Sequence, residues 1–201
     1  MDKKQLRRKF LDLRAAISSE NRRKADRSID QSILELPEYR NASIVAGYAT
    51  DGTEPDILPV LRDAAGRGIR ACLPKWNGTQ YILSLVDEND LDGLIPGKWD
   101  LPEPRFIRPA DEFLHSDGVL YLVPGVAFDE ELNRLGRGGG VYDRILKGRG
   151  TSTALGVFYE CQLSSSLPVE KHDIPLDVIV TESAVRRGKQ QSGAKLPETK
   201  K

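Results

Sequence analysis

The stretch VLYLVPGVAFDEELNRLGRGGGVYDRIL (residues 119–146) runs from an apolar, β-rich segment through Pro124-Gly125 into a loop of glycine and arginine. It leaves that loop as a short helical pattern, VYDRIL. Strand, loop and helix follow each other here, and the loop lies at the strand's carboxyl end, where open α/β sheets bind their ligands. The loop is costly. RLGRGGGVYDR (134–144) holds four glycines and three arginines; glycine gives up much backbone entropy on folding, and neighbouring arginines repel. A bound anion offsets both costs. Successive glycine N–H groups can face one anion, Arg134 and Arg137 can fork onto phosphate oxygens, and a helix starting near Gly140 adds its positive end. The other reading is a structural glycine turn with exposed arginines. Neither a Walker A loop nor a dinucleotide fingerprint is present, since Val141 stands where the third glycine belongs. Read from its residues, the motif stops at phosphate.

Working outward, SIVAGYA (43–49), IRACL (69–73), YILSLV (81–86), ALGVF (154–158) and DVIVT (177–181) are further short strand patterns bounded by turn residues. A helix is expected over 56–65, with Pro55 at its start, Pro59 in its first turn, and Gly66 and Gly68 at its end. Before the first strand, Leu6, Phe10, Leu13 and Ile17 recur at helical spacing. Ser18 and Ser19 cap a second helix that carries Ala25, Ile29 and Ile33 and ends at Pro37. The expected fold is a layered α/β domain over 1–185, with a mainly parallel sheet flanked by helices and an N-terminal helical pair. From Arg186 to the end, residues 186–201 show no apolar periodicity and read as a disordered basic tail.

The 201 residues carry 30 Lys+Arg and 30 Asp+Glu. With no net field to attract nucleic acid or a membrane, any anion site is local. Cys72 and Cys161 form neither a disulfide framework nor a metal spacing and read as buried thiols. His115 and His172 share no metal spacing, and Ser164 to Ser166 have no nearby base pattern. The basic N-terminus lacks an apolar signal core, so a cytoplasmic monomer is expected.

Three further features bear on chemistry. On a wheel of about 100° per residue, Lys3, Arg7 and Arg14 fall together beside the buried seam; from the residues alone this is a solvated flank. Asp143, one turn into the helix after the loop, would repel phosphate unless Mg²⁺ bridged them, or it simply stabilises its own helix. In the acidic loop after the first strand, Glu54 accepts a hydrogen bond from a polar heterocycle or is solvated, and Asp56 belongs to the next helix.

At this point the chain resembles the 5-formyltetrahydrofolate cyclo-ligases (5,10-methenyltetrahydrofolate synthetases). The resemblance rests on Lys3-x-x-Leu6-Arg7, Glu54-x-Asp56, Trp99-x-Leu-Pro-x-Pro104, the block over 123–146, Gln162, and Leu167-Pro-x-x-x-His-Asp173-x-Pro-x-Asp177. One departure is Val141, where the family often has a second tyrosine. The resemblance implies ATP-dependent closure of 5-formyltetrahydrofolate to 5,10-methenyltetrahydrofolate, with ADP and phosphate released. It implies ATP contacts from Lys3, Arg7, Arg134, Leu135, Gly136, Arg137, Gly138, Gly139, Gly140, Val141 and Tyr142. Folate contacts would come from Ala49, Glu54 and residues 137–141. Arg137 would be catalytic, and Asp143 and Asp173 would hold Mg²⁺. The chemistry agrees: formamide oxygen leaves poorly until phosphorylated, and such transfers depend on positioning and electrostatics. The alternative is a non-catalytic nucleotide or folate sensor, or a different α/β enzyme that uses the loop for a sugar phosphate.

Overall fold

Asp2 starts the first helix, α1 (Lys3–Ala15). Its carboxylate accepts from Gln5 N at 2.7 Å, and Gln5 Oε1 accepts from Asp2 N at 3.1 Å, a reciprocal cap that satisfies two otherwise unpaired donors. Ser18 caps α2 (Ser19–Glu35) by accepting from Asn21 N, and Pro37 opens the short α3 (Pro37–Arg40). The helical pair is present as expected, with one change in its buried face. Leu6 and Phe10 are inside, but Leu13 is 42% exposed and Arg14 is 0% exposed. Arg14 is therefore not part of a solvated flank.

β1 (Ile44–Ala46), α4 (Leu58–Gly66) and β2 (Arg70–Trp76) form a unit whose strands pair in parallel. The helix begins at Leu58 rather than 56, because Asp56 Oδ1 accepts from Leu58 N at 3.1 Å and so stands ahead of it. β3 (Tyr81–Val86) returns antiparallel to β2. Next come α5 (Glu88–Asp92), the small pair β4 (Ile95–Pro96) and β5 (Pro102–Glu103), and α6 (Asp111–Leu114). β6 (Val119–Val123) leads into β7 (Ala127–Asp129), β8 (Arg134–Leu135) and α7 (Val141–Leu146), and the chain finishes through β9 (Thr153–Val157), β10 (Leu163–Ser164), β11 (Val178–Val180) and β12 (Val185–Arg187).

The main sheet has the order β12-β11-β9-β6-β1-β2-β3. Its central strands are parallel and both edges antiparallel, which is the mainly parallel sheet expected. β1 continues towards β2 while β6 continues towards β9, so strand order reverses between the neighbours β1 and β6. The crevice beyond their carboxyl ends is the usual ligand position in such sheets. β10, β7 and β8 form a separate small sheet beside it.

Both sheet faces are covered. Ile29, Ile33, Val60 and Leu61 pack with Val45, Leu120 and Leu155 on one side, and Tyr121, Phe128, Leu146, Phe158 and Ile179 pack on the other. A third cluster sets Leu6 and Phe10 of α1 against Val126, Ala127, Leu135 and Leu167. Each fully buried Leu, Val or Phe of this kind stabilises by about 1.5–3 kcal/mol. That seam clamps α1 over β7 and β8 and brings its N-terminal cations to the glycine-arginine loop.

The computed structural model describes residues 1–114 and 117–188. Among these, β12 corrects the expected tail boundary at 186. Arg186 pairs with Ile179 in the sheet and bonds Glu160 at 2.6 Å, while Arg187 bonds Glu38. The rest of the expected tail, 189–201, and His115 lie outside the described residues. Cys72 is buried as read, but Cys161 is exposed. No described helix is long and apolar enough to cross a membrane.

Candidate active site

A cleft of about 600 Å³ opens beyond β1 and β6. Lys3 and Arg7 of α1, Ala49 and Glu54 of the loop after β1, residues 134–143, and Asp173 all line it. The fold thus gathers into one cleft every residue that the resemblance assigns to ATP, folate or Mg²⁺, whereas Arg14 and Asp56 do not line it.

Asp129 fixes the start of the glycine-arginine loop. It is buried and accepts from Glu131 N, Asn133 N and Leu167 N at 2.9–3.1 Å. Arg7 fixes the middle by donating from Nε to Gly136 O at 2.8 Å. Glycine suits position 138 because its φ is +100°, a left-handed conformation that side-chain-bearing residues rarely adopt. The nearly buried Arg134 bonds Asp143 Oδ1 at 2.6 Å, with its guanidinium 5.9 Å from the Tyr142 ring centre. The Tyr142 hydroxyl donates to Gly47 O at 3.4 Å, tying α7 to the end of β1.

Opposite the loop, the 50–54 segment is a wound turn. Asp51 Oδ1 accepts from Thr53 N, Thr53 Oγ1 and Glu54 N at 2.7–3.1 Å. Its other oxygen, Oδ2, and Glu54 Oε1 are shared by two guanidinium groups. Arg14 reaches them at 3.5 Å each and also donates to Thr53 Oγ1 at 2.8 Å and Gly125 O at 3.2 Å. Arg137 bonds the same Asp51 Oδ2, and Glu54 Oε1 at 3.3 Å. Glu54 is only 7% exposed, which removes the solvated reading. Burial, then the nearby Asp51 charge, pushes its carboxyl above the usual range against the pull of Arg137 and Arg14. Asp51 goes the other way. Burial opposes its charge, but the Thr53 hydrogen bonds and the Arg137 guanidinium outweigh it and bring Asp51 to about 2.

Asp173 accepts from Lys3 Nζ at 2.8 Å, and Glu170 pairs with the same ammonium at 2.9 Å. Each expected Mg²⁺ ligand therefore faces an expected nucleotide-binding cation: Asp143 faces Arg134, and Asp173 faces Lys3. His172 stands exposed at this rim. Among the described residues no group of three or more His, Cys, Asp or Glu could hold an ion. Two hard carboxylates alone suit Mg²⁺ completed by phosphate oxygens and water.

On the remaining side, Tyr81 and Trp99 line the cleft and Trp76 stands behind Tyr81. Trp76, Tyr81 and Trp99 follow one another at ring distances of 5.4 and 5.7 Å. Trp99 holds a left-handed backbone, φ 60°, a conformation that costs a non-glycine residue stability unless its surroundings enforce it. Glu103 is buried beneath this segment, accepting from Lys98 N at 3.0 Å and Trp76 N at 3.3 Å and pairing with Lys75. Trp99 Cη2 lies 3.9 Å from where a Cβ on Gly139 would sit, so the indole stands over the glycine loop.

A sequence model of the 5-formyltetrahydrofolate cyclo-ligase family matches residues 1–182. The chain belongs to that family. The 5-formyltetrahydrofolate cyclo-ligase of Escherichia coli K12 is 30% identical over 179 residues, spanning 86% of this chain and 96% of its own. The NMR structure of Aquifex aeolicus 5,10-methenyltetrahydrofolate synthetase superimposes with a TM-score of 0.81 at 33% identity, covering 99% of both chains. The synthetase from Mycoplasma pneumoniae, at 24% identity and a TM-score of 0.68 over 90% of this chain and 99% of its own, shares the fold.

In this cyclo-ligase family member, sequence reasoning missed Arg14, Asp51, Tyr81 and Glu103. Arg14 carried a signal, since the wheel set it beside Lys3 and Arg7. Asp51 carried a weaker one, in the Asp-Gly-Thr pattern of a wound turn. Glu103 carried none, because its partners Trp76 and Lys98 come from other turns of the chain.

Proposed function

We propose that the chain closes 5-formyltetrahydrofolate to 5,10-methenyltetrahydrofolate, converting ATP to ADP and phosphate. The observation that carries this reading is that one residue, Arg137, spans the two halves of the cleft. It grows from the glycine loop suited to phosphate, yet bonds Asp51 and the buried Glu54 of the opposite loop. A group so placed faces both a nucleotide's terminal phosphate and a folate formyl oxygen.

The formyl oxygen attacks the terminal phosphorus, ADP leaves, and the product is an imidate-like phosphate ester. N10 then attacks the activated carbon, the C–O bond breaks, phosphate departs, and the N10 proton passes to solvent. Arg137 balances charge moving onto the transferred group. Lys3, Arg7 and Arg134 bind the phosphate chain together with the backbone of 135–142. Ala49 borders the folate side, and buried Glu54 accepts from pterin N–H donors. Asp143 and Asp173 would hold Mg²⁺, which supplies charge screening between the phosphates and the approaching formyl oxygen. With the ion held there, Arg134 and Lys3, their partners in the structure, would be free to pair with phosphate oxygens. We assign the enzyme to the cytosol as a monomer, in keeping with its balanced charge and two free thiols.

Mixing the protein with 5-formyltetrahydrofolate and Mg-ATP tests this. Methenyltetrahydrofolate absorbance should grow with equimolar ADP. Binding of both compounds without ADP release would instead indicate a sensor.

A further inference from the structure

Asp51 lies just behind the cleft, not on its lining, and the chemistry proposed above gives it no role. Yet it makes the main contact that holds Arg137 in the structure. The same carboxylate oxygen, Oδ2, meets Arg14 at 3.5 Å and also bonds Arg137. These two guanidinium groups are unlike. The Arg14 side chain is enclosed, at 1% exposure, and fixed by Gly125 O and Thr53. The Arg137 side chain is 46% exposed in the cleft, and Gly136 and Gly138 flank it in the chain.

We propose that Asp51 is a positioning residue, a latch that holds Arg137 against the folate-side loop until a nucleotide's phosphoryl group competes for it. This rests on the reading that the anion in the cleft is nucleotide phosphate. Arg137 spends both Nη2 donors on Asp51 and Glu54, so a phosphoryl group that draws the whole guanidinium towards the glycine loop takes it off Asp51, and nucleotide binding then includes release of the latch. Release leaves no bare buried carboxylate, because Asp51 keeps Arg14 and the Thr53 bonds while Glu54 keeps Arg14. Folate donors arriving at Glu54 would loosen the second contact of Arg137. The folate side and the nucleotide side are thereby coupled through one side chain, each favouring the other.

Asp51→Asn tests the latch with little change of shape. The amide keeps an acceptor at the Oδ1 position for Thr53 N and Glu54 N but removes the charge at Oδ2. The probe is a non-hydrolysable ATP analogue with Mg²⁺, titrated calorimetrically without folate. An exposed or half-exposed ion pair sets the scale, so Asp51→Asn should bind the analogue about two- to fivefold tighter. Loss of a nearby negative charge could tighten binding without any latch, so the cycle is completed with Arg137→Ala and the double variant. In the Arg137→Ala background, Asp51→Asn should leave affinity unchanged. An equal gain in both backgrounds would overturn the latch, as would no gain in either. If Asp51→Asn fails to fold, Asp51→Ser, which also keeps a short oxygen acceptor, enters the same cycle with the same expected outcomes. Failure of the unmutated chain to bind the analogue or to turn over 5-formyltetrahydrofolate would overturn the functional reading itself. That result is distinguishable from failure of the latch, in which the unmutated chain binds and turns over normally.

Discussion

Arg137 carries the argument at the scale of single residues. It is half exposed and holds no part of the core, so Arg137→Ala should melt within a degree or two of the unmutated protein. Removing one preorganised donor from a charge-developing site costs about 2.7–4 kcal/mol, and turnover should fall roughly a hundred- to a thousandfold at saturating ATP. Normal turnover would remove Arg137 from the chemistry. Asp51 gives a pH signature. Its carboxyl titrates near 2 in the folded chain, below the ordinary 3.8. A depressed value means the ionised form is favoured by folding, so its contribution is complete above the ordinary value and is lost as pH falls towards 2. Urea unfolding should show the unmutated chain more stable than Asp51→Asn near neutral pH, with the gap closing between about pH 4 and 2. A gap that is constant with pH would contradict the ion-pair account. The glycine-arginine loop was legible in the sequence because its cost is local. Arg14 was not, because a helical wheel shows the same stripe whether the side chain meets water or carboxylates from a distant loop.

At the scale of elements, α1 is the part whose purpose depends most on docking. Its seam of Leu6 and Phe10 sets Arg7 against Gly136 and Lys3 beside Asp173. Lys3→Ala should therefore raise the KM for ATP several-fold while leaving that for 5-formyltetrahydrofolate nearly unchanged. Equal shifts in both would point to loosening of the helix instead. This substitution is cleaner than deleting residues 1–5, which would also remove the Asp2 and Gln5 cap. The long strands and helices were legible from periodicity and turn residues. β7, β8 and β12 were not, since two or three residues give no period to read. Arg186 and Arg187 look like a charged tail until Glu160 and Glu38 are placed beside them by the fold.

At the scale of the whole molecule, the fold gathers the two proposed Mg²⁺ ligands. Asp143 belongs to α7 and Asp173 to the segment before β11, so only the closed fold brings both to one cleft. Asp143→Asn and Asp173→Asn should each raise the Mg²⁺ concentration needed for half-maximal rate, with the defect shrinking at high Mg²⁺ because the nucleotide supplies the other oxygens. Asp177→Asn is the control. Its carboxylate accepts from Ala154 N at 2.8 Å and pairs with Arg149, so that variant should lose stability but keep normal Mg²⁺ dependence. If Asp173→Asn behaves like Asp177→Asn, Asp173 is not a ligand. The family was legible from the ordered series of short motifs along the chain, whereas the pairing of Asp143 with Arg134 and of Asp173 with Lys3 required coordinates.

In the proposed reaction, phosphate departs carrying the formyl oxygen. The direct measurement is to label that oxygen of 5-formyltetrahydrofolate with a heavy isotope, allow one turnover with Mg-ATP, and weigh the released phosphate by mass spectrometry. One labelled oxygen is expected in each phosphate formed. Unlabelled phosphate, with the heavy oxygen recovered in water, would contradict it.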